Sequence, residues 1–112
     1  VTALSAQVTV NLRPGANDDH CAGFNDANIA VMEIAYNPPF PPSSTTVVEY
    51  YWTVEHELGT WAWQTDRPDR EFLIPFMGEY TIKCKVLYVQ QSTRLTYAAF
   101  QSNVMIVDGK NC

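Results

Sequence analysis

Two tryptophans, Trp61 and Trp63, have the type and spacing that suit ligand binding in this sequence. Residues two apart on a β-strand lie on one face, about 7 Å apart, which suits stacking on successive sugar rings or on a flat protein surface. Tyr51 could extend such a ligand-binding platform. The same spacing fits two rings that cover a sheet edge or pack onto Tyr51. We favour packing for these two rings; ligand binding is the alternative, and it requires both rings to be exposed.

Acid–base chemistry has weaker support. Glu55, His56 and Glu57 combine an imidazole with two carboxylates, but neighbouring residues on a strand point to opposite faces. Nothing near them supplies a nucleophile, an oxyanion hole or a concave site, so a solvated strand end is the favoured interpretation. The sequence therefore predicts no catalytic residues and no enzyme activity.

Calcium is the metal for which the sequence offers candidate ligands, because one Gly-containing loop carries five side chains with oxygen donors: Asn17, Asp18, Asp19, Asn25 and Asp26. Ca²⁺ takes six to eight oxygen ligands, which makes Asp18, Asp19 and Asp26 weak calcium candidates. The loop lacks the regular spacing of an EF-hand, and Asn and Asp also favour turns for local hydrogen-bonding reasons. We favour no metal and no cofactor, with calcium as the alternative.

Length and charge limit the function classes. The 112 residues suffice for one domain, 1–112, with a single core. The net charge of -5 argues against nucleic acid, which requires a basic surface. No apolar run approaches the roughly 20 residues of a membrane span, so we expect no membrane insertion. The sequence shows no initiator Met and no signal peptide, which predicts a piece excised from a larger multidomain protein.

The elements that must position these residues follow a period of two, which predicts strands and not helices. Seven segments have this pattern: 6–12, 29–36, 46–56, 58–65, 70–76, 78–90 and 94–107, the last as one strand or a bulged pair. The proline-rich segment 37–42 between the second and third segments predicts a stiff loop. About seven short strands in this length predict an all-β sandwich of two antiparallel sheets.

Two segments of the sequence resemble a known family. "VEYYWTVEH", with Tyr50 and Trp52, and "EFLIPFMGEYTIKCKVLYV", with Gly78 and Tyr80, resemble the two halves of a PKD (polycystic kidney disease) domain, with Met77 where the family favours Pro. The resemblance implies an immunoglobulin-like β-sandwich. It also implies a noncatalytic extracellular or cell-surface module for adhesion, spacing or presentation, with neighbouring domains and protein or glycan surfaces as partners.

The predicted core rests on three anchors, Trp52, Tyr80 and Cys84, each on the apolar face of its strand. Cys21 lies in the loop after the first strand and Cys112 follows the last strand. Because the first and last strands of a seven-strand sandwich run parallel, these two cysteines are expected at one pole. We predict a Cys21–Cys112 disulfide, with Cys84 a buried free thiol; three free thiols are the alternative. A disulfide indicates an oxidising compartment, hence a secreted or cell-surface location.

Two other functions stay open at this point. One is a carbohydrate-binding module that uses exposed Trp61 and Trp63. The other is an accessory domain of a secreted hydrolase whose active site lies outside this chain.

Overall fold

A computed structural model describes residues 8–36 and 42–112, so most of the predicted proline-rich loop lies outside the described residues. These described residues form eight strands and one 3₁₀ turn, Asp26–Asn28. The strands are β1 Val8–Leu12, β2 Ile29–Tyr36, β3 Thr46–His56, β4 Gly59–Thr65, β5 Asp69–Leu73, β6 Gly78–Gln90, β7 Thr96–Gln101 and β8 Met105–Gly109. Within this described part, no helix is long and apolar enough to cross a membrane.

The strands form two antiparallel sheets. One sheet has the order β1-β2-β5, and the other has the order β4-β3-β6 with β7 and β8 both on the far side of β6. Strand β8 pairs with the first residues of β6 and β7 with its last residues, so they are two pieces of one interrupted last strand. The predicted all-β, immunoglobulin-like sandwich of two antiparallel sheets is confirmed.

The core lies between the two sheets and contains the three predicted anchors. Trp52, Tyr80 and Cys84 are all buried. The indole Nε1–H of Trp52 donates to Thr65 Oγ1 at 2.9 Å, so its one polar group is paired. Burial raises the pKa of the Cys84 thiol to about 12, because the apolar surroundings disfavour the thiolate. Cys84 is therefore a core side chain that carries no charge.

The structure contains the predicted Cys21–Cys112 disulfide, and Cys84 is free. The loop after β1 meets the end of β8 through a parallel bridge between Cys21 and Lys110. Two backbone hydrogen bonds make this bridge, from Ala22 N–H to Lys110 O and from Lys110 N–H to His20 O, both 2.8 Å. The segments that follow the first and last strands therefore run parallel where they meet. We call this end of the sandwich the disulfide pole.

Candidate functional site

The two tryptophans of β4 face inward and are half-buried, not exposed. In the β3–β4 hairpin, Trp63 lies opposite Trp52 and Trp61 opposite Val54, and opposite residues of antiparallel strands share a face. Both rings pack against the core. The Trp61 ring lies 6.4 Å from that of Tyr80, and Arg70 lies 5.0 Å above the centre of the Trp63 ring. Both rings therefore lie where packing requires them, and neither has the exposure on which the binding hypothesis depends.

Tyr51 does not join the tryptophans, because its side chain lies on the opposite face of the sheet. Its partner in the register is Gln64, which points outward. The Tyr51 hydroxyl donates to Glu49 Oε1 at 2.8 Å, and Arg94 Nη2 donates to Glu49 Oε2 at 2.6 Å. These two hydrogen bonds hold the pKa of the Glu49 carboxyl below its ordinary value of 4.5. The predicted platform of three rings is not brought together; Tyr51 positions a carboxylate instead.

The loop with the calcium candidates owes its conformation to two asparagines. Asn17 has a left-handed backbone, and its amide accepts from Cys21 N–H and donates to Cys21 O and Asn28 O. The buried Asn28 side chain donates to Cys21 O at 2.9 Å and accepts from Asn25 N–H at 3.2 Å. These asparagines therefore explain how a polar loop is held rigid on the sandwich.

The predicted calcium ligands Asp18, Asp19 and Asp26 are exposed on this loop. Asp18 Oδ1 accepts from Gly15 N–H at 2.8 Å, which is a turn interaction. Among residues 8–36 and 42–112, no three or more His, Cys, Asp and Glu side chains form a group that could hold a metal ion. Calcium binding at this loop stays an untested alternative that we do not favour.

The Glu55-His56-Glu57 segment is not the solvated strand end that its sequence indicates. Glu55 points outward and pairs with Lys83 at 3.2 Å, and Glu57 lies exposed in the β3–β4 turn. His56 points inward, is buried, and lies with its ring 4.6 Å from that of Tyr80. Its Nδ1 accepts from Leu58 N–H at 3.1 Å, so Nε2 carries the proton and donates to Met77 O at 2.9 Å. His56 therefore fixes two turns to each other, and both of its ring nitrogens are occupied.

A cleft of about 620 Å³ lies at the β4–β5 turn, lined mainly by charged and polar side chains. Arg13 donates to Asp69 at 2.7 Å and to Glu33 at 3.3 Å, and Arg67 lies 3.4 Å from Asp69. The hydrogen bond from Arg13 holds the pKa of Asp69 below its ordinary value. Arg13 and Arg67 are therefore paired with carboxylates of the protein itself, and these ion pairs account for the charged residues at the cleft.

The disulfide pole carries an exposed apolar surface that the sequence did not indicate. Phe24, Leu58 and Met77 are 73%, 64% and 57% exposed, and we call these three side chains the apolar tip. They come from three different connections, yet they are joined underneath by His56 and Phe76. The Phe76 ring lies 5.7 Å from both the Phe24 ring and the His56 ring, and His56 bonds the backbones of Leu58 and Met77.

The backbone beneath the apolar tip is fixed. Gly23 N–H donates to Ile74 O at 3.0 Å, which ties the Phe24 loop to the end of β5. Gly78 has φ +111°, and a Cβ there would lie 3.1 Å from His56 Nε2, so glycine is required beside Met77. Because the connections are held in place, the backbone beneath the tip has little conformational entropy left to lose.

Signals of the apolar tip were present in the sequence, but each was weak alone. Phe24 stands in a loop of Asn and Asp, Leu58 fills a two-residue turn, and Met77 replaces a proline of the resembled family. Only the fold brings the three together. No protein-family model matches this sequence, and no curated protein matches it either.

Proposed function

We propose that this chain is a noncatalytic module of a secreted or cell-surface protein, similar to a PKD domain, that serves adhesion, spacing or presentation. In this proposal the apolar tip is its contact with a protein partner. The observation that carries the proposal is the convergence of Phe24, Leu58 and Met77 on one rigid base of His56 and Phe76.

The energetics of exposure support a binding role for the apolar tip. Single exposed apolar residues are ordinary on protein surfaces, but a contiguous group of large ones indicates an interaction site. Aromatic and Met side chains are enriched at the centres of protein interfaces. The tip offers one of each, together with a leucine, on a backbone that does not need to be reordered.

The charge around the apolar tip indicates the chemistry of the partner. Asp26, Glu57 and Glu79 are exposed and lie within two residues of Phe24, Leu58 and Gly78 respectively. A partner that places apolar side chains against the tip and Lys or Arg side chains around it would match this pattern. We therefore propose a protein surface with an apolar centre and a basic rim.

The disulfide supports the proposed location, because such bonds persist in oxidising compartments. The two alternatives have less support from the geometry. Stacking of a sugar ring on the Arg70-facing side of Trp63 would have to displace the guanidinium that lies 5.0 Å from the ring centre. An accessory role beside a hydrolase would use the same tip and differs only in the neighbouring domain.

Site-specific photocrosslinking tests this proposal. A photoreactive phenylalanine analogue is introduced in place of Leu58 in one protein and of Leu95 in a control. Leu95 is equally exposed, at 68%, but lies in the β6–β7 connection at the other end of β6. Surface proteins of the source cells are then crosslinked to each protein. We expect a discrete product from position 58 and none from position 95.

Affinity for the crosslinked protein is measured next. Phe24→Ser should weaken binding about tenfold or more, because a central apolar side chain contributes more than 1 kcal/mol. Leu95→Ser should leave the affinity unchanged, and near-UV circular dichroism checks that both variants fold. Equal crosslinking from the two positions, or binding that is unaffected by Phe24→Ser, would contradict the proposal.

A further inference from the structure

The outer edge of β4 has no strand partner within residues 8–36 and 42–112, since β4 ends the order β4-β3-β6. Its seven residues, GTWAWQT, include no charged residue and no proline. The two edge strands of the other sheet are protected in the usual ways: β5 carries Asp69, Arg70 and Glu71, and on β1 the Val10 N–H donates to Asn103 Oδ1 at 2.8 Å. Strand β4 is therefore an edge that can accept another strand.

The β3–β4 turn determines which backbone groups of β4 are free. Only Glu57 and Leu58 separate the paired residues His56 and Gly59, and the pair that closes a two-residue hairpin exchanges backbone hydrogen bonds. Alternate residues from Gly59 onward therefore bond to β3. The N–H and C=O groups of the residues between them point away from the sheet, and these residues are Thr60, Ala62 and Gln64.

We propose that two copies of this chain associate through β4, antiparallel, around a two-fold axis at Ala62. In this register Ala62 lies opposite Ala62 of the second copy, and Thr60 lies opposite Gln64. These are the residues whose backbone groups are free, so each such pair exchanges two hydrogen bonds. The five-stranded sheets of the two copies then form one continuous sheet, and the interface is isologous.

The tryptophans fit the same arrangement. Trp61 lies opposite Trp63 of the second copy, in a pair without backbone hydrogen bonds, where the side chains approach most closely. Both residues point to the inner face and are half-buried in one copy. Association covers part of the surface that they leave exposed. The dimer therefore accounts for the position of a small residue, Ala62, between the two tryptophans, which neither core packing nor sugar binding explains.

Charge identifies the occupant of the edge as a second copy. With Ala62 opposite itself, paired positions within β4 sum to 124. Glu57 in the β3–β4 turn and Arg67 in the bend after β4 lie just beyond the two ends of the paired segment Gly59–Thr65, so each Glu57 comes near Arg67 of the second copy, and this contact occurs twice. Glu57 is exposed and the Arg67 side chain is largely exposed, so both can reach across. An arbitrary extended peptide would satisfy the backbone but would match these two charges only by chance.

Sedimentation velocity over a concentration series, to about 1 mM, tests the dimer. We expect the wild-type protein to shift from the monomer mass toward twice that mass. Ala62→Lys places two like charges opposite each other at the axis and should weaken association about tenfold or more. Because Ala62 is exposed in the monomer, this variant should keep its fold. Ala99 is exposed on β7, at the opposite edge of the same sheet, and Ala99→Lys serves as the matched control with unchanged association.

Mixing experiments test the register directly. Glu57→Lys alone and Arg67→Glu alone each create two repulsive contacts in a homodimer, so both should associate weakly. An equimolar mixture of the two variants restores two attractive contacts and should associate as tightly as the wild-type protein. A monomeric wild-type protein throughout, dimers that persist in Ala62→Lys, or no recovery in the mixture would overturn the proposal. A dimer that is lost in Phe24→Ser but kept in Ala62→Lys would assign association to the apolar tip instead.

Discussion

Removal of the Cys21–Cys112 disulfide should destabilise the protein without changing its native structure. The bridge joins residues 91 apart in the sequence. The backbone hydrogen bonds between Ala22 and Lys110 hold the same two segments together on their own. We therefore expect Cys21→Ser/Cys112→Ser to retain the fold, and to lose stability chiefly because the unfolded chain gains conformational freedom.

The magnitude follows from the length of the closed loop. For 91 residues, the chain-entropy relation gives about 4–5 kcal/mol at 25 °C. This is comparable with the whole free energy of unfolding of many small domains. The variant should therefore be marginally stable at room temperature and partly unfolded at 37 °C.

Urea denaturation monitored by tryptophan fluorescence measures this effect. Both proteins carry Cys84→Ala, so that no thiol can exchange with the disulfide. Without the bridge the unfolded chain is more expanded, and the dependence of the unfolding free energy on urea should become steeper. Near-UV circular dichroism in the absence of urea checks the native packing.

Two results would refute this reasoning. A loss of less than about 1 kcal/mol would show that the bridge does not restrict the unfolded chain as its loop length requires. A large loss with altered near-UV circular dichroism would place the effect in the native state. In that second case the parallel bridge between Cys21 and Lys110 would form only when the disulfide is present, and its hydrogen bonds would not hold the two segments together on their own.

Three further predictions concern single side chains. Trp63→Ala should lower the free energy of unfolding by about 2 kcal/mol, since the ring is half-buried. The control Gln64→Ala, on the outer face, should change it by less than about 0.5 kcal/mol. Equal effects of the two substitutions in urea denaturation would contradict the packing of Trp63 against the core. Glu49→Gln should be less stable than wild type at neutral pH. Because the folded-state pKa of Glu49 is depressed, its contribution is present above the ordinary value of 4.5 and is lost as the pH falls through the folded-state pKa. The stability difference should therefore shrink in acid; a constant difference would exclude the carboxylate as its cause. The Cys84 thiol should react with a thiol reagent only on unfolding, because burial raises its pKa to about 12; rapid reaction in the native state would contradict its position.

The sequence predicts the sandwich well because alternation along a strand is a local property. Strands β3 and β6 alternate so regularly that their bounds and the inward faces of their central residues follow from residue type alone, and Trp52 and Cys84 lie where the alternation places them. The disulfide was predictable for a different reason. Once the strand order of a sandwich is assumed, Cys21 and Cys112 are the cysteines that the topology brings to one pole.

The faces of β4 could not be predicted, because they depend on the length of one turn. A two-residue turn places Trp61 and Trp63 on the inner face with Trp52, whereas one more residue would have placed them outside with Tyr51. The turn sequence Glu57-Leu58 contains no Asn-Gly or Asp-Gly signal that would fix its length. The face of β4 that carries the two tryptophans therefore depends on a register that no local pattern encodes.

The apolar tip was not predictable because it depends on a buried histidine. A histidine between two glutamates at a strand end is expected to be exposed, because all three side chains are polar. In the structure Gly78 leaves room for the ring, and Met77 O and Leu58 N–H satisfy both nitrogens. The residues that make His56 a core residue are distant in the sequence, so its role appears only in the folded chain.

The apolar tip and the β4 edge, taken together, predict that the dimer binds two partners on opposite sides. In the antiparallel register, Leu58 lies opposite Asp66 of the second copy. The two Leu58 side chains are therefore eight positions apart along the strand direction (66 minus 58), about 26 Å at 3.3 Å per residue. Each tip lies at the outer end of its own copy, so the two tips face away from each other.

Beads coated with the protein captured by photocrosslinking test this geometry. The wild-type protein should cluster the beads at concentrations where it is dimeric. Ala62→Lys should bind the beads with unchanged affinity yet fail to cluster them, and Phe24→Ser should fail to bind. These two variants separate the contributions, since Ala62 lies on the edge strand and Phe24 at the pole. Clustering by Ala62→Lys equal to that of the wild-type protein would show that bridging does not pass through β4. Binding by that variant without clustering would assign adhesion to the dimer rather than to the single domain, because only a bivalent molecule gains avidity from two linked contacts.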